Sequence, residues 1–116
     1  MNKYIYIVLF IILYLIFYYT IHQDEYKCDA GHVYSCFVIA QQKADNGYYD
    51  ESINFLIKAC EFKSKEACSI VANAYFLGQK IKPDIKKANE FYKKACELGD
   101  EDACFYLRNK QLFIMR

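Results

Sequence analysis

The chain begins with an unbroken apolar stretch and continues with apolar and polar positions that alternate at helical spacing. Residues 4–21 contain no charged side chain and are rich in Ile, Leu, Phe and Tyr. Two later sets of apolar or small residues each fall at i, i+3, i+4, i+7 and i+8: Ser52, Phe55, Leu56, Ala59 and Cys60, and then Ala88, Phe91, Tyr92, Ala95 and Cys96. Each set forms one buried face of an α-helix, so the pattern predicts an all-α protein.

Local start and stop signals extend this pattern to five helices after the apolar stretch. They are predicted at about residues 33–43, 50–61, 65–77, 85–97 and 101–113. Gly47 and Gly78 are predicted to mark the turns between paired helices. Asp84 is expected to cap the start of one helix and Gly99 to end it, while His32 lies in the linker before the first helix.

Residues 4–21 are long enough to cross a membrane. Eighteen residues at 1.5 Å each span about 27 Å, close to the hydrocarbon thickness of a bilayer. The stretch ends in bulky residues at 18–20, without the small residues of a signal-peptidase site, which favours an uncleaved signal-anchor over a cleaved signal peptide. A buried core helix is the third alternative, which an all-round apolar surface disfavours. Lys3 is expected to hold the N-terminal end in the cytoplasm, with the following domain facing outward.

The charge balance argues against nucleic-acid binding. The chain has 15 basic and 14 acidic residues, and only Lys3 of the basic ones precedes residue 22, so residues 22–116 carry 15 − 1 = 14 basic and 14 acidic side chains. A nucleic-acid binder normally shows a basic excess. Residues 22–116 suffice for one modest core, so the predicted domains are a signal-anchor or signal peptide at 1–21 and one repeat domain at 22–116.

The cysteines reveal an internal repeat. All six fall into pairs of identical C-x7-C spacing: Cys28 and Cys36, Cys60 and Cys68, Cys96 and Cys104. The period is 96 − 60 = 36 residues for the later units and 60 − 28 = 32 for the earlier ones. Fixed periods of this length are typical of helical-hairpin solenoids, and the chain holds about two and a half such units.

Each cysteine pair joins the last turn of one predicted helix to the first turn of the next. Antiparallel helices joined by a short loop can bring two Cα atoms within the distance of about 4.4–6.8 Å that a disulfide requires. Structural zinc sites use the closer C-x2–4-C spacing instead, and the chain has no C-x-x-C motif. In an outward-facing domain, three disulfides are therefore favoured over the alternatives, which are zinc ligands and free thiols.

One unit carries a recognisable signature. Its residues are Tyr75, Gly78, Asp84, Ala88, Tyr92, Ala95 and Gly99. They resemble the Sel1-like repeat, a relative of the tetratricopeptide repeat, and with the added C-x7-C pairs residues 26–113 resemble the Helicobacter cysteine-rich protein family of secreted proteins. The resemblance implies a short solenoid stapled by disulfides, whose concave helix faces bind a protein or peptide. It also brings the family's frequent label of β-lactamase.

The sequence contains no group of catalytic residues that would support the β-lactamase label. A serine β-lactamase needs an S-x-x-K pattern, and three positions after each serine stands an apolar residue. The four serines are Ser35, Ser52, Ser64 and Ser69. The two histidines, His22 and His32, are too few for a metallo-enzyme, and the acidic run at 100–102 is better explained as a helix start. No catalytic residue, metal ligand or cofactor is therefore predicted.

The sequence thus predicts an extracytoplasmic Sel1-like repeat module that binds a protein or peptide partner. The alternative is a protein that binds or weakly hydrolyses penicillin-type β-lactams or related peptidoglycan fragments. The domain is expected to face the periplasm, held at the inner membrane by residues 4–21, or to be secreted if that segment is cleaved. The apolar tail at 111–116 is predicted to fold back as a cap or to meet another copy or another protein.

Overall fold

The N-terminal helix stands apart from the rest of the fold. The computed structural model describes the backbone of residues 2–114 and the side chains of residues 2–110. Helix α1, Lys3–Ile21, begins at Asn2, whose side chain accepts a hydrogen bond from the Tyr4 N–H, and none of its residues is buried. Its length and mean hydropathy of 2.3 allow it to cross a membrane, and a signal sequence near an N-terminus has the same properties.

Six further helices stack as antiparallel neighbours. They are α2, Gln23–Asp29; α3, Val33–Asp45; α4, Tyr49–Glu61; α5, Lys65–Leu77; α6, Ile85–Glu97; and α7, Glu101–Ile114. Within residues 2–114 there is no strand, which confirms the predicted all-α solenoid. Even-numbered neighbours touch on one side, where Lys58 of α4 bonds Asp29 of α2 at 2.7 Å. Odd-numbered neighbours touch on the other, where the rings of Phe76 and Tyr106 lie 5.4 Å apart.

Helix α2 is an element that the sequence pattern did not predict. His32 was placed in a linker and no helix was assigned bounds before it, but Gln23–Asp29 is helical. Only one of its residues, Cys28, is buried, so its sequence has no apolar periodicity to detect. The disulfide to α3 and the ion pair to α4 hold this short helix in place. The other predicted helices agree with the structure to within two residues at each end.

Three identical disulfides staple the stack. Cys28–Cys36, Cys60–Cys68 and Cys96–Cys104 each join positions 8 apart in sequence, and each has a Cα–Cα distance of 4.7 Å. The first two are almost completely buried, whereas both cysteines of the third are half-buried. Each bridge lowers the conformational entropy of the unfolded chain. Because the loops are equal in length, each bridge stabilises the fold by the same amount, about 2.6 kcal/mol in the chain-entropy model.

The three staple loops share one backbone turn. Each contains a residue with positive φ three positions after the first cysteine: Gly31 at 99°, Lys63 at 72° and Gly99 at 102°. Each loop then runs directly into the next helix, and Ser64 and Asp100 cap α5 and α7 by accepting hydrogen bonds from backbone N–H groups. Lys63 is therefore a side-chain-bearing residue at a position where the other two loops use glycine.

Replacing Lys63 by glycine is expected to stabilise the fold. The left-handed conformation is strained for a residue with a Cβ and unstrained for glycine. After subtraction of glycine's larger loss of backbone entropy on folding, Lys63→Gly should raise the free energy of unfolding by about 0.5–1 kcal/mol. Urea unfolding followed by circular dichroism measures the change. Lys63→Ala is the control, because it removes the side chain and keeps the strain. An equal gain in both variants would contradict the backbone explanation.

Small residues let the helices approach closely. Five alanines distributed over α4, α5 and α6 have no exposed surface: Ala59, Ala67, Ala72, Ala88 and Ala95. Between α3 and α4, the Ser52 hydroxyl donates a hydrogen bond of 2.7 Å to the Ala40 carbonyl oxygen. Such close packing fixes the position of each helix relative to the next, and with it the surface that the odd-numbered helices present.

Candidate binding surface

The exposed positions of α3, α5 and α7 form one continuous surface. Aligning Cys36, Cys68 and Cys104 brings corresponding positions of the three helices into register, and alternate helices of such a stack lie on the same side. The positions turned away from the core define the surface that we call the odd-helix face. They are Tyr34, Val38, Gln41 and Asp45 of α3; Glu66, Ser69, Ile70, Asn73 and Leu77 of α5; and Asp102, Phe105 and Asn109 of α7.

Large apolar side chains are exposed on this face. Tyr34 is 81% exposed, Leu77 59% and Ile70 44%. Such exposed apolar side chains do not stabilise the domain, because each loses the free energy that burial would give. An amide side chain also recurs at one position of each helix, as Gln41, Asn73 and Asn109. The face therefore combines apolar contact area with hydrogen-bonding groups.

The outer surface of the even-numbered helices has a different composition. The even-helix face consists of Glu51, Asn54, Lys58 and Glu61 of α4 and the corresponding Lys87, Glu90, Lys94 and Glu97 of α6. Every member is polar or charged. The ammonium groups of Lys58 and Lys94 lie 4.9 and 5.0 Å from the ring centres of Phe55 and Phe91, so they shield the core. This face is a solvated helix surface.

A polar pocket lies where α5 meets α7. Its volume is about 220 Å³, and Ser69 donates a hydrogen bond to Asp100 at its edge. The Tyr92 hydroxyl donates to Asn73 Oδ1 at 2.5 Å, and the Tyr92 and Tyr106 rings lie 4.2 Å apart. The pocket thus places a carboxylate and an amide beside the exposed side chains of the odd-helix face.

The titratable groups of this pocket are shifted in opposite senses. The Ser69 hydroxyl and the Ala103 N–H lower the pKa of the Asp100 carboxyl below its ordinary value by hydrogen bonding, so Asp100 stays ionised and keeps its cap on α7. Burial raises the pKa of Tyr92 to about 12, and the nearby Tyr106 adds to the shift. Tyr92 therefore remains neutral in the folded protein at any ordinary pH.

The Tyr92 shift predicts alkaline destabilisation. The unfolded tyrosine ionises near its ordinary pKa of 10.0, whereas the folded one holds its proton to about pH 12. Between these values the folded state binds more protons, so the stability present below pH 10 is lost as pH rises. Urea unfolding at several alkaline pH values measures this loss, which should be smaller for Tyr92→Phe. An identical pH dependence in both proteins would contradict the assignment.

The residues of the repeat signature lie at turns and packing positions. Gly78 ends α5 with a φ of 62°, and a Cβ there would come within 2.5 Å of the Pro83 side chain. The Asp84 side chain accepts a hydrogen bond from the Lys87 N–H at the start of α6. The remaining members pack against the core or shape the staple loop: Tyr75, Ala88, Tyr92, Ala95 and Gly99.

The serines have structural contacts rather than a catalytic arrangement. Ser35, Ser52 and Ser64 are buried, and Ser69 bonds Asp100. Among the described side chains, no hydrogen bond joins any of the four hydroxyls to a lysine. Over the same residues there is no group of three potential metal ligands. His22 pairs with Glu25 at 3.3 Å.

The odd-helix face was not singled out by the sequence analysis. The hydrophobic pattern identifies the residues that are buried, and exposed apolar residues such as Tyr34 and Ile70 look like part of the same set. The cysteine register contained part of the missing signal, because it aligns Tyr34 with the charged Glu66 and Asp102, but it aligns Ile70 with the buried Tyr106. The predicted contacts of the tail at 111–116 fall outside the described side chains.

Comparison with known proteins identifies one repeat. Residues 65–100, which comprise α5, α6 and the loop to Asp100, match the family model of the Sel1 repeat. A search of curated proteins found no match to the chain. The chain therefore contains one Sel1 repeat within an all-α helical-repeat fold, and Sel1 repeats commonly mediate protein–protein interaction.

Proposed function

We propose that this chain is an extracytoplasmic module that binds a protein or peptide partner through the odd-helix face. The observation that carries the proposal is the exposure of several large apolar side chains along the odd-helix face; on the even-numbered helices, Tyr26 of α2 and Ile85 of α6 are exposed as well. Tyr34, Ile70 and Leu77 are exposed on the odd-helix face, whereas the even-helix face of α4 and α6 consists of polar and charged residues. Exposed apolar groups gathered on one side of a repeat stack are typical of an interaction surface.

Two features support a location outside the cytoplasm. Disulfides persist in oxidising compartments, and all six cysteines are paired in disulfides. Helix α1 has a mean hydropathy of 2.3 and precedes the stack. In this proposal residues 1–21 are a signal-anchor or signal peptide and residues 22–116 are the repeat domain, facing the periplasm from the inner membrane or secreted after cleavage. The stapled Sel1 repeat supports kinship with the Helicobacter cysteine-rich family.

The proposal is tested by affinity capture from envelope extracts of the producing cells with quantitative mass spectrometry. Three forms of the full, oxidised chain are compared: the natural sequence, Tyr34→Ser with Ile70→Ser on the odd-helix face, and Asn54→Ser with Glu90→Ser on the even-helix face. We expect a defined partner to be retained by the natural and even-face forms and lost, by at least tenfold, from the odd-face form. Equal retention by all three would contradict the proposal.

A further inference from the structure

We propose that the segment bound by the odd-helix face is basic as well as apolar, a stretch in which Lys or Arg alternates with large apolar side chains. This inference rests on the proposed function and adds the chemistry of the ligand. It comes from the distribution of charge over a domain whose basic and acidic residues are otherwise equal in number, at 14 each over residues 22–116.

The odd-helix face contains acidic residues and no basic ones. Asp45, Glu66 and Asp102 belong to it, and none of its other described members is Lys or Arg. At its edge, Asp100 adds a fourth carboxylate in the pocket between α5 and α7, where Lys65 is the nearby cation. The neutral overall balance therefore conceals a stripe of one sign, and the exposed cations of α5 and α7, which are Lys65, Arg108 and Lys110, lie outside this stripe.

The carboxylates stand beside the apolar side chains along each helix. Glu66 lies one turn before Ile70 on α5, and Asp102 lies three residues before Phe105 on α7, so each pair shares a side of its helix. Packed helices lie about 8–10 Å apart, which is comparable to the screening length of about 8 Å at physiological salt, so the negative potentials of α5 and α7 overlap in part. A ligand with cations spaced between apolar groups would satisfy both features.

The negative charge of the odd-helix face also disfavours the binding of acidic ligands. An acidic peptide would place like charges against Glu66 and Asp102, at a cost that apolar contact with Ile70 must overcome. Exposed amides such as Asn73 supply a carbonyl oxygen for either the backbone or an ammonium group. The face therefore selects among apolar segments by their charge, which gives the apolar contacts a specificity that they lack alone.

Fluorescence anisotropy with two synthetic peptides tests this inference. Both peptides carry the same leucines and phenylalanines, one with four interspersed lysines and the other with four glutamates. The full, oxidised chain is held in phosphatidylcholine nanodiscs, whose neutral lipid does not attract the lysines, and empty nanodiscs serve as the blank. We expect the lysine peptide to bind, more weakly at higher salt, and the glutamate peptide to bind at least tenfold less tightly.

Matched variants then locate the charge effect. Glu66→Gln with Asp102→Asn should lower the affinity for the lysine peptide roughly three- to tenfold, which is the size of effect expected from two surface charge contacts. Glu61→Gln with Glu97→Gln, the same 36 residues apart on the even-helix face, should leave its affinity unchanged. Equal binding of the two peptides, equal weakening by both variant pairs, or binding of neither peptide would each overturn the inference. If both peptides bind equally and Tyr34→Ser with Ile70→Ser removes both, the proposed function stands and only the charge preference fails.

Discussion

Removing the central disulfide, by Cys60→Ala together with Cys68→Ala, is expected to destabilise the whole stack. The bridge is almost completely buried between α4 and α5, in the middle of the helix order. Without the bridge the unfolded chain regains conformational entropy, which lowers the free energy of unfolding by about 2.6 kcal/mol. The substitutions also leave a cavity in place of two buried sulfur atoms. Urea unfolding should show a loss above that figure, a large share of the stability of so small a domain.

The terminal disulfide provides a matched comparison. Cys96→Ala with Cys104→Ala opens a loop of the same length, so the entropic loss is the same, but both of these cysteines are half-buried. Removing the Cys96–Cys104 disulfide should therefore lower the free energy of unfolding by less than removing the central one. The destabilisation should also be confined to α7. A central variant that is no less stable than the terminal one would show that packing around the sulfurs contributes nothing.

Truncating Tyr106 is expected to release α7 from the stack. This residue is 7% exposed, and its ring lies between Phe76 of α5 and Tyr92 of α6. Substituting a buried aromatic side chain by alanine costs about 3–5 kcal/mol through lost burial and the cavity that remains. Tyr106→Ala should therefore lower the unfolding free energy by this amount, and hydrogen exchange should show the amides of α7 losing their protection before those of α5.

The aromatic residue next to Tyr106 serves as a control, because it tests whether burial rather than aromatic character determines the loss of stability. Phe105 precedes Tyr106 on the same helix but is 53% exposed on the odd-helix face. Phe105→Ala should cost less than about 1 kcal/mol in stability, because its ring is not enclosed by the core. If the two substitutions were equally destabilising, the register of α7 against α5 and α6 described above would be wrong.

Much of the fold was predictable because the cysteines repeat with the helices. The C-x7-C pairs mark both the end of one helix and the start of the next, so the loops near Ser64 and Asp100 were located correctly from the sequence. Helix α2 was missed for the opposite reason, since a seven-residue helix with one buried side chain leaves no periodic signal. Its position depends on contacts with α3 and α4, which local sequence does not encode.

The binding surface was harder to predict than the core. Burial follows from the apolar spacing of α4 and α6, whereas exposure of Tyr34 or Ile70 depends on which neighbour covers which side of the helix. The same applies to the pocket at the α5–α7 junction: Ser69 and Asp100 are 31 residues apart in sequence and meet only because the repeats stack.

The central claim, that the odd-helix face carries the binding, is tested most directly by photo-crosslinking in the producing cells. A photoreactive phenylalanine analogue is introduced into the full chain at Tyr34 or Ile70, or at Asn54 or Glu90, which are corresponding positions of the even-helix face. We predict that Tyr34 and Ile70 crosslink to the same partner and that Asn54 and Glu90 give none of that adduct. Adducts formed mainly from Asn54 and Glu90 would contradict the account.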